Sequence, residues 1–153
     1  MGARIVIEKA LRRLTLYRDG EAPRVMPVAL GSTPVGHKTR EGDGKTPEGD
    51  YYVCTRNARS KYHLSLGLSY PNASDAAEGF RRGEIDREAR DAILDAIDRG
   101  ARPPWDTPLG GFIMIHGGGT DCDWTAGCVA LADEDMDLLW LGAPLGTPVR
   151  VEP

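Results

Sequence analysis

Ile115-His116-Gly117-Gly118-Gly119-Thr120-Asp121-Cys122-Asp123-Trp124-Thr125-Ala126-Gly127-Cys128 places a base and a thiol at the two ends of a glycine-rich loop, and its flanks decide the architecture. Ahead of it, the apolar run Gly111-Phe112-Ile113-Met114-Ile115 reads as a buried strand that carries His116 at its end. Behind it, Thr125-Ala126-Gly127-Cys128-Val129-Ala130-Leu131 reads as a tight turn entering a second strand, with Cys128 at the strand mouth. A thiol is a weak nucleophile near neutral pH until a neighbour takes its proton, and a histidine is the usual partner. Twelve positions separate the two, which suits neighbouring strands joined by a loop rather than one element. Gly117, Gly118, Gly119 and Gly127 stand where backbone approaches a ligand or takes dihedrals closed to other residues.

Working outward, the first third reads as antiparallel strands over 4–9, 13–18 and 24–30. Ile5 and Ile7, then Leu14 and Leu16, alternate with polar neighbours, and Asp19-Gly20 marks a hairpin turn. Residues 31–50 form a polar loop. Within it Gly42-Asp43-Gly44-Lys45-Thr46 is superficially like a phosphate-binding loop, but Thr39 stands where that motif needs glycine and Pro47 where a helix should begin. A strand is expected over 51–56, with Cys54 as a buried small hydrophobe. From 62 to 70 the alternation assigns Tyr62, Leu64, Leu66, Leu68 and Tyr70 to a core face, and His63, Ser65, Gly67 and Ser69 to a polar face. His63 then either lines a substrate groove or is a solvated strand histidine.

The period changes near Asp86. Ile85, Ala89, Ile93 and Ile97 recur every four residues beside Ala92 and Ala96, giving one amphipathic helix over about 86–99 with Gly100 as its stop and a solvated charged side. Asp133 reads as the N-cap of a short helix ending near Leu141, and 147–151 as a closing strand. The chain is expected to be a single domain over 1–153, mainly β: an antiparallel β-sandwich with one inserted amphipathic helix and one short C-terminal helix. At 153 residues, 41% apolar and 27% charged, it can bury a real core. Its formal charge of −4 gives no electrostatic reason to bind nucleic acid. No run reaches the length of a membrane span, and the N-terminal segment lacks the apolar region of a signal peptide. Three cysteines leave at least one thiol free in a monomer.

His116-Gly117 followed by Thr125-Ala126-Gly127-Cys128-Val129 resembles the motif of the L,D-transpeptidase catalytic domain, also called the YkuD domain, of peptidoglycan metabolism. Lys45-Thr46-Pro47-Glu48-Gly49-Asp50-Tyr51-Tyr52 is similar to that family's Thr-Pro-x-Gly stretch, and residues 62–72 to a segment of one subgroup, so the likeness covers nearly the whole chain. The resemblance implies that Cys128 attacks the amide carbonyl at the L-centre of a diaminopimelate–D-Ala bond, forms a thioester, and passes the acyl group to an amine or to water. His116 would be base and then acid, its other ring nitrogen held by the carbonyl of Gly117 or Gly118. The N–H groups of Gly127 and Cys128 are the oxyanion-hole candidates, and Gly118, Trp124, Thr125 and His63 the candidate substrate contacts, with a plain packing role as the alternative for Trp124. Peptidoglycan stem peptides are the implied partner, the cell envelope or periplasm the implied location, and no cofactor is called for. Whether a wall-linked lipoprotein is a further partner stays open.

Two positions depart from the family pattern. Ala126 stands where the family often has His, and Ala130 where the common motif has Arg, and alanine cannot hold a carboxylate as a guanidinium does. These departures keep a second reading beside the enzyme, a non-catalytic wall-binding module of the same fold; the ligand types allow a third, a metal site built from His116, Cys122 and Cys128 with Asp121 or Asp123, for which the spacing lacks a CxxC pair.

Overall fold

The computed structural model describes residues 2–153. Its strands are β1 (Ala3–Glu8), β2 (Arg13–Arg18), β3 (Arg24–Pro27), β4 (Gly49–Ser60), β5 (His63–Leu68), β6 (Met114–His116), β7 (Val129–Ala130) and β8 (Pro148–Glu152). Three helices interrupt them: α1 (Ala73–Arg81), α2 (Arg87–Asp98) and α3 (Asp133–Gly142). The strands lie in the order β3-β2-β1-β8-β4-β5-β6-β7. Most neighbours are antiparallel, as expected, but β1–β8 and β6–β7 are parallel.

The segment expected as one strand over 24–30 is extended and paired only to Pro27. Val28 then donates to the Arg12 carbonyl, and Ala29 exchanges both backbone hydrogen bonds with Ala130, at 2.9 Å each. One end of the sheet is thus tied to the other, and the sheet curls around a core of Ile5, Ile7, Leu14, Leu66, Leu68, Ile115, Val129 and Leu131. Helix α3 adds Met136 and Leu139 to that core, and a Cβ on its Gly142 would sit 2.8 Å from Leu16 Cδ2. The Arg56 guanidinium lies 3.8 Å over the Trp140 ring and donates to the Trp140 and Ala143 carbonyls. It thereby satisfies acceptors at a helix end that carries partial negative charge.

Strand β5 corrects the reading of a half-polar face. Ser65, Gly67 and Ser69 are buried along with Leu66, Leu68 and Tyr70. The cover comes from the excursion over 71–113: a Cβ on Gly67 would meet Trp105 at 3.0 Å and the Met114 sulfur at 3.3 Å. That excursion holds two helices rather than one. Helix α1 opens with a capping box, in which the Asn72 side chain accepts from the Asp75 N–H and the Asp75 carboxylate accepts from the Asn72 N–H. With α2 it encloses a second small core of Ala76, Ile85, Ile93 and Leu109. The strand expected over 111–115 is shorter, starting at Met114, because Phe112 has a left-handed backbone (φ +55°) that breaks the extended path. Cys54 is half-buried rather than buried, and burial pushes its thiol up to about 11.

Candidate active site

Strand β6 ends on His116, and its parallel neighbour β7 begins one residue after Cys128, with Ile115 opposite Val129 and His116 opposite Ala130. Ile115 and Val129 face the core, so alternation turns Met114 and His116 to the other side of the sheet. The Thr125–Cys128 turn is bonded internally: the Thr125 hydroxyl donates to the Cys128 carbonyl at 2.7 Å and accepts from the Gly127 N–H at 3.1 Å. Thr125 is therefore a buried brace of the turn and not a surface contact. The Gly127 N–H, expected in an oxyanion hole, is already committed to that hydroxyl. Gly127 itself has φ +146°, and a Cβ there would lie 2.8 Å from the Lys45 carbonyl oxygen.

His116 is held on three sides. Its Nδ1 lies 2.6 Å from the Gly117 carbonyl oxygen. An acceptor there fixes the proton on Nδ1 and leaves Nε2 with its lone pair, as a base requires. The ring stacks on Tyr62 with centroids 4.6 Å apart, and Trp124 tilts against it at 5.6 Å. Burial holds the His116 pKa below the ordinary 6.5, opposed by the Gly117 hydrogen bond. The imidazole is accordingly neutral at pH 7.

Cys128 is half-buried, and its thiol sits where the β6–β7 ladder stops. Sγ donates to the Phe112 carbonyl and accepts from the Met114 N–H, both at 3.3 Å. No hydrogen bond joins it to His116. Burial raises the thiol pKa, while the Met114 N–H and the positive charge of Lys38 pull the other way. The resting pair is a neutral thiol and a neutral imidazole.

The loop between them is anchored at both ends. A Cβ on Gly117 would stand 2.4 Å from Asp133 Oδ1, and the same oxygen accepts from the Gly118 N–H at 3.0 Å. Asp133 is thus the first residue of α3, placed behind Ala132 as the N-cap, and its carboxylate serves the loop instead of its own helix. Trp124 donates Nε1–H to the Gly119 carbonyl at 3.0 Å. Asp123 accepts from Arg12 at 2.8 Å and from the Leu30 N–H at 2.9 Å, pinning the loop to the β1–β2 hairpin. These commitments leave the alternative metal reading without a converged ligand set. Asp123 and Cys128 have other partners, Cys122 is exposed and unbonded, and no three His, Cys, Asp or Glu side chains converge on an ion position among the described residues.

His63 is bonded to α3 and makes no hydrogen bond to the imidazole. Its Nε2 lies 2.6 Å from Asp137 Oδ1 on α3, and that carboxylate raises its pKa. Sequence reasoning missed Tyr62, Phe112 and Asp133, which touch His116, Cys128 and Gly118 respectively. Alternation assigns Tyr62 to the core, yet it lies just before β5 begins, where alternation no longer fixes a face.

The profile of the YkuD family, the L,D-transpeptidase catalytic domain, matches residues 2–151. The chain belongs to this family. The Escherichia coli (strain K12) protein named "Putative L,D-transpeptidase YafK" is 28% identical over 145 residues, covering 90% of this chain and 46% of the relative. The chain thus spans about half the length of the curated relatives it matches. Among solved structures, the helical cell shape determining protein Pgp2 from Campylobacter jejuni superposes with a TM-score of 0.65 at 23% identity, over 99% of this chain and 47% of that one. The L,D-transpeptidase from Xylanimonas cellulosilytica gives 0.57 at 18%, over 98% and 60%. These two solved structures share the mostly-β fold of this chain. No helix among the described residues is long and apolar enough to cross a membrane.

Proposed function

We propose that this L,D-transpeptidase-family domain is a cysteine acyltransferase or hydrolase acting on peptidoglycan stem peptides in the cell envelope. The observation that carries the reading is the imidazole. Its Nδ1–H is held by the Gly117 carbonyl and its Nε2 is left free, on the strand paired in parallel with the one that Cys128 leads into. In the reaction, Cys128 Sγ leaves the Phe112 carbonyl and passes its proton to His116 Nε2. The sulfur attacks the substrate amide carbonyl, and the imidazolium returns the proton to the departing amine. The resulting thioester is then opened by an amine or by water, with His116 as base. With the Gly127 N–H committed to Thr125, the Cys128 N–H is the remaining donor of the expected pair for the oxyanion. A role in cell shape is a further part of the reading, supported by the Pgp2 likeness alone.

A second reading is a wall-binding module of the same fold without turnover. It is favoured by the thiol bonded to Phe112 rather than to His116. Intact mass after incubation with imipenem separates the two, since an L,D-transpeptidase of this fold has been solved in complex with that compound. Wild type is expected to gain one covalent adduct, Cys128→Ala none, and His116→Ala to gain it at least about tenfold more slowly. An unmodified wild type would leave the wall-binding module standing, and an adduct surviving in Cys128→Ala would remove Cys128 as nucleophile.

A further inference from the structure

Beside the thiol, α2 and the segment 102–112 enclose an open groove of about 500 Å³, lined by Ala92, Ala96, Arg102, Trp105, Asp106 and Phe112, with Asp95 and Arg99 at its side. Three of its features are unfinished. The charges of Asp95 and Arg99 are matched, with 2.9 Å between Asp95 Oδ2 and Arg99 Nε. The Arg102 guanidinium, by contrast, rests 4.9 Å from the Trp105 ring with no carboxylate partner among the described residues, and the exposed Asp106 carboxylate has no cationic one. Trp105 is only 6% exposed, yet its Nε1–H has no acceptor among the described residues, and a buried donor is rarely left in that state. Finally, Phe112 is 59% exposed, its ring lies 4.7 Å from that of Trp105, and its backbone is held at φ +55°. Strained, non-glycine backbone of this kind persists where the surroundings over-determine it, and it clusters at binding sites. Phe112 is also the residue whose carbonyl accepts the Cys128 thiol, so the groove abuts the nucleophile.

An unpaired cation, an unpaired anion, an orphan indole N–H and an aromatic wall match a ligand with a carboxylate and an ammonium on one carbon and a short aliphatic stem. We propose that this groove is the subsite for the free amino-acid end of a peptide substrate. Its carboxylate sits on Arg102, its ammonium on Asp106, and its methylenes on Trp105 and Phe112. Calling the ligand a substrate rests on the acyl-transfer reading above; the binding itself does not.

The test titrates the intact protein with meso-diaminopimelic acid while following the indole N–H resonances of its tryptophans. The Trp105 signal should shift saturably and that of Trp140, on α3, should stay in place. Pimelic acid, which lacks the ammonium groups, and cadaverine, which lacks the carboxylates, should each bind about tenfold more weakly or worse. Arg102→Met and Asp106→Asn should each cost a similar factor, and Arg102→Lys should recover part of it. The subsite is wrong if Trp105 does not respond, if pimelic acid or cadaverine binds as well as the zwitterion, or if Arg102→Met leaves the titration unchanged. Imipenem acylation of the same samples keeps the two ideas apart. A Trp105 response without acylation leaves the subsite and removes the acyl-transfer reading, and acylation without a Trp105 response does the reverse.

Discussion

At the scale of single residues, the site depends on two protonation states set by burial. Burial lowers the His116 pKa and raises that of Cys128, so both are neutral in the resting pair near pH 7. The acidic limb of kcat/KM should therefore have an apparent pKa below 6.5, and a limb at or above 6.5 would contradict a buried base. The same shift acts on stability. As pH falls, the unfolded chain takes up the His116 proton at its ordinary 6.5, before the folded site does. The contribution of neutral His116 is present above 6.5 and lost as pH falls through the folded value, and His116→Ala should flatten that part of the denaturation profile. Gly117 is as exposed to test. A methyl there meets Asp133 Oδ1 at 2.4 Å and the Tyr62 carbonyl oxygen at 2.9 Å, both within hydrogen-bonded structure that cannot yield cheaply. Gly117→Ala should cost about 1–3 kcal/mol of stability and, by displacing the carbonyl that orients His116, at least about tenfold in acylation rate. Unchanged acylation by a folded Gly117→Ala protein would show that the Gly117 carbonyl does not position the base.

At the scale of elements, the loop over 31–48 is as structural as the strands it joins. Lys9, 2% exposed, donates from Nζ to the Gly36 and Thr46 carbonyls and to Glu48 Oε2 at 2.8, 2.7 and 3.0 Å. Thr46 in turn accepts from the Gly31 N–H, and a Cβ on Gly31 would meet both Gly44 and Gly127. Lys9→Met keeps the aliphatic stem but strands buried acceptors. A loss of about 2–4 kcal/mol in chemical denaturation is expected, with slower imipenem acylation of Cys128 because Gly127 packs on the same loop. A loss under about 0.5 kcal/mol would place the loop outside the cooperative unit. Apart from the likeness of Thr46-Pro47-Glu48-Gly49 to the family stretch, the sequence marks this loop only as polar connection, because its order comes from contacts distant in the chain. Short-range periodicity made β2 and the stripe of α2 legible, and residue chemistry with the flanking glycines and the family motif singled out His116 and Cys128. Helix α1 was not legible, since Ala76, Gly79 and Phe80 make too short and small a stripe. Its Asn72…Asp75 capping box was the one local signal available. The thiol's partner was also illegible, as it depends on where the β6–β7 ladder stops.

At the scale of the whole molecule, the surroundings of the site bear on whether the proposed thioester would be opened by an amine or by water. The sheet closes on itself at Ala29 and Ala130, and Ala130 is fully buried where the common family motif carries arginine. The closure leaves that position to small side chains and removes a charged anchor for a second peptide. The cover over the site is thin as well. Between His116 and Cys128 the loop carries four glycines, Gly118 is exposed, and its bulk is confined to Trp124, which is spent on the His116 and Tyr62 rings. A transpeptidase must hold its acceptor in line and exclude water, and misplacement lowers the rate steeply. Hydrolysis should consequently be a substantial outcome and should exceed cross-linking. The measurement incubates the protein with a tetrapeptide-bearing muropeptide and an excess of amine acceptor, and resolves products by mass. A majority of cross-linked dimer over trimmed peptide would show that another part of the surface holds the acceptor. The Arg102 and Asp106 groove is the first place to look, since Arg102→Met should then shift the ratio toward hydrolysis while leaving Cys128 competent for imipenem.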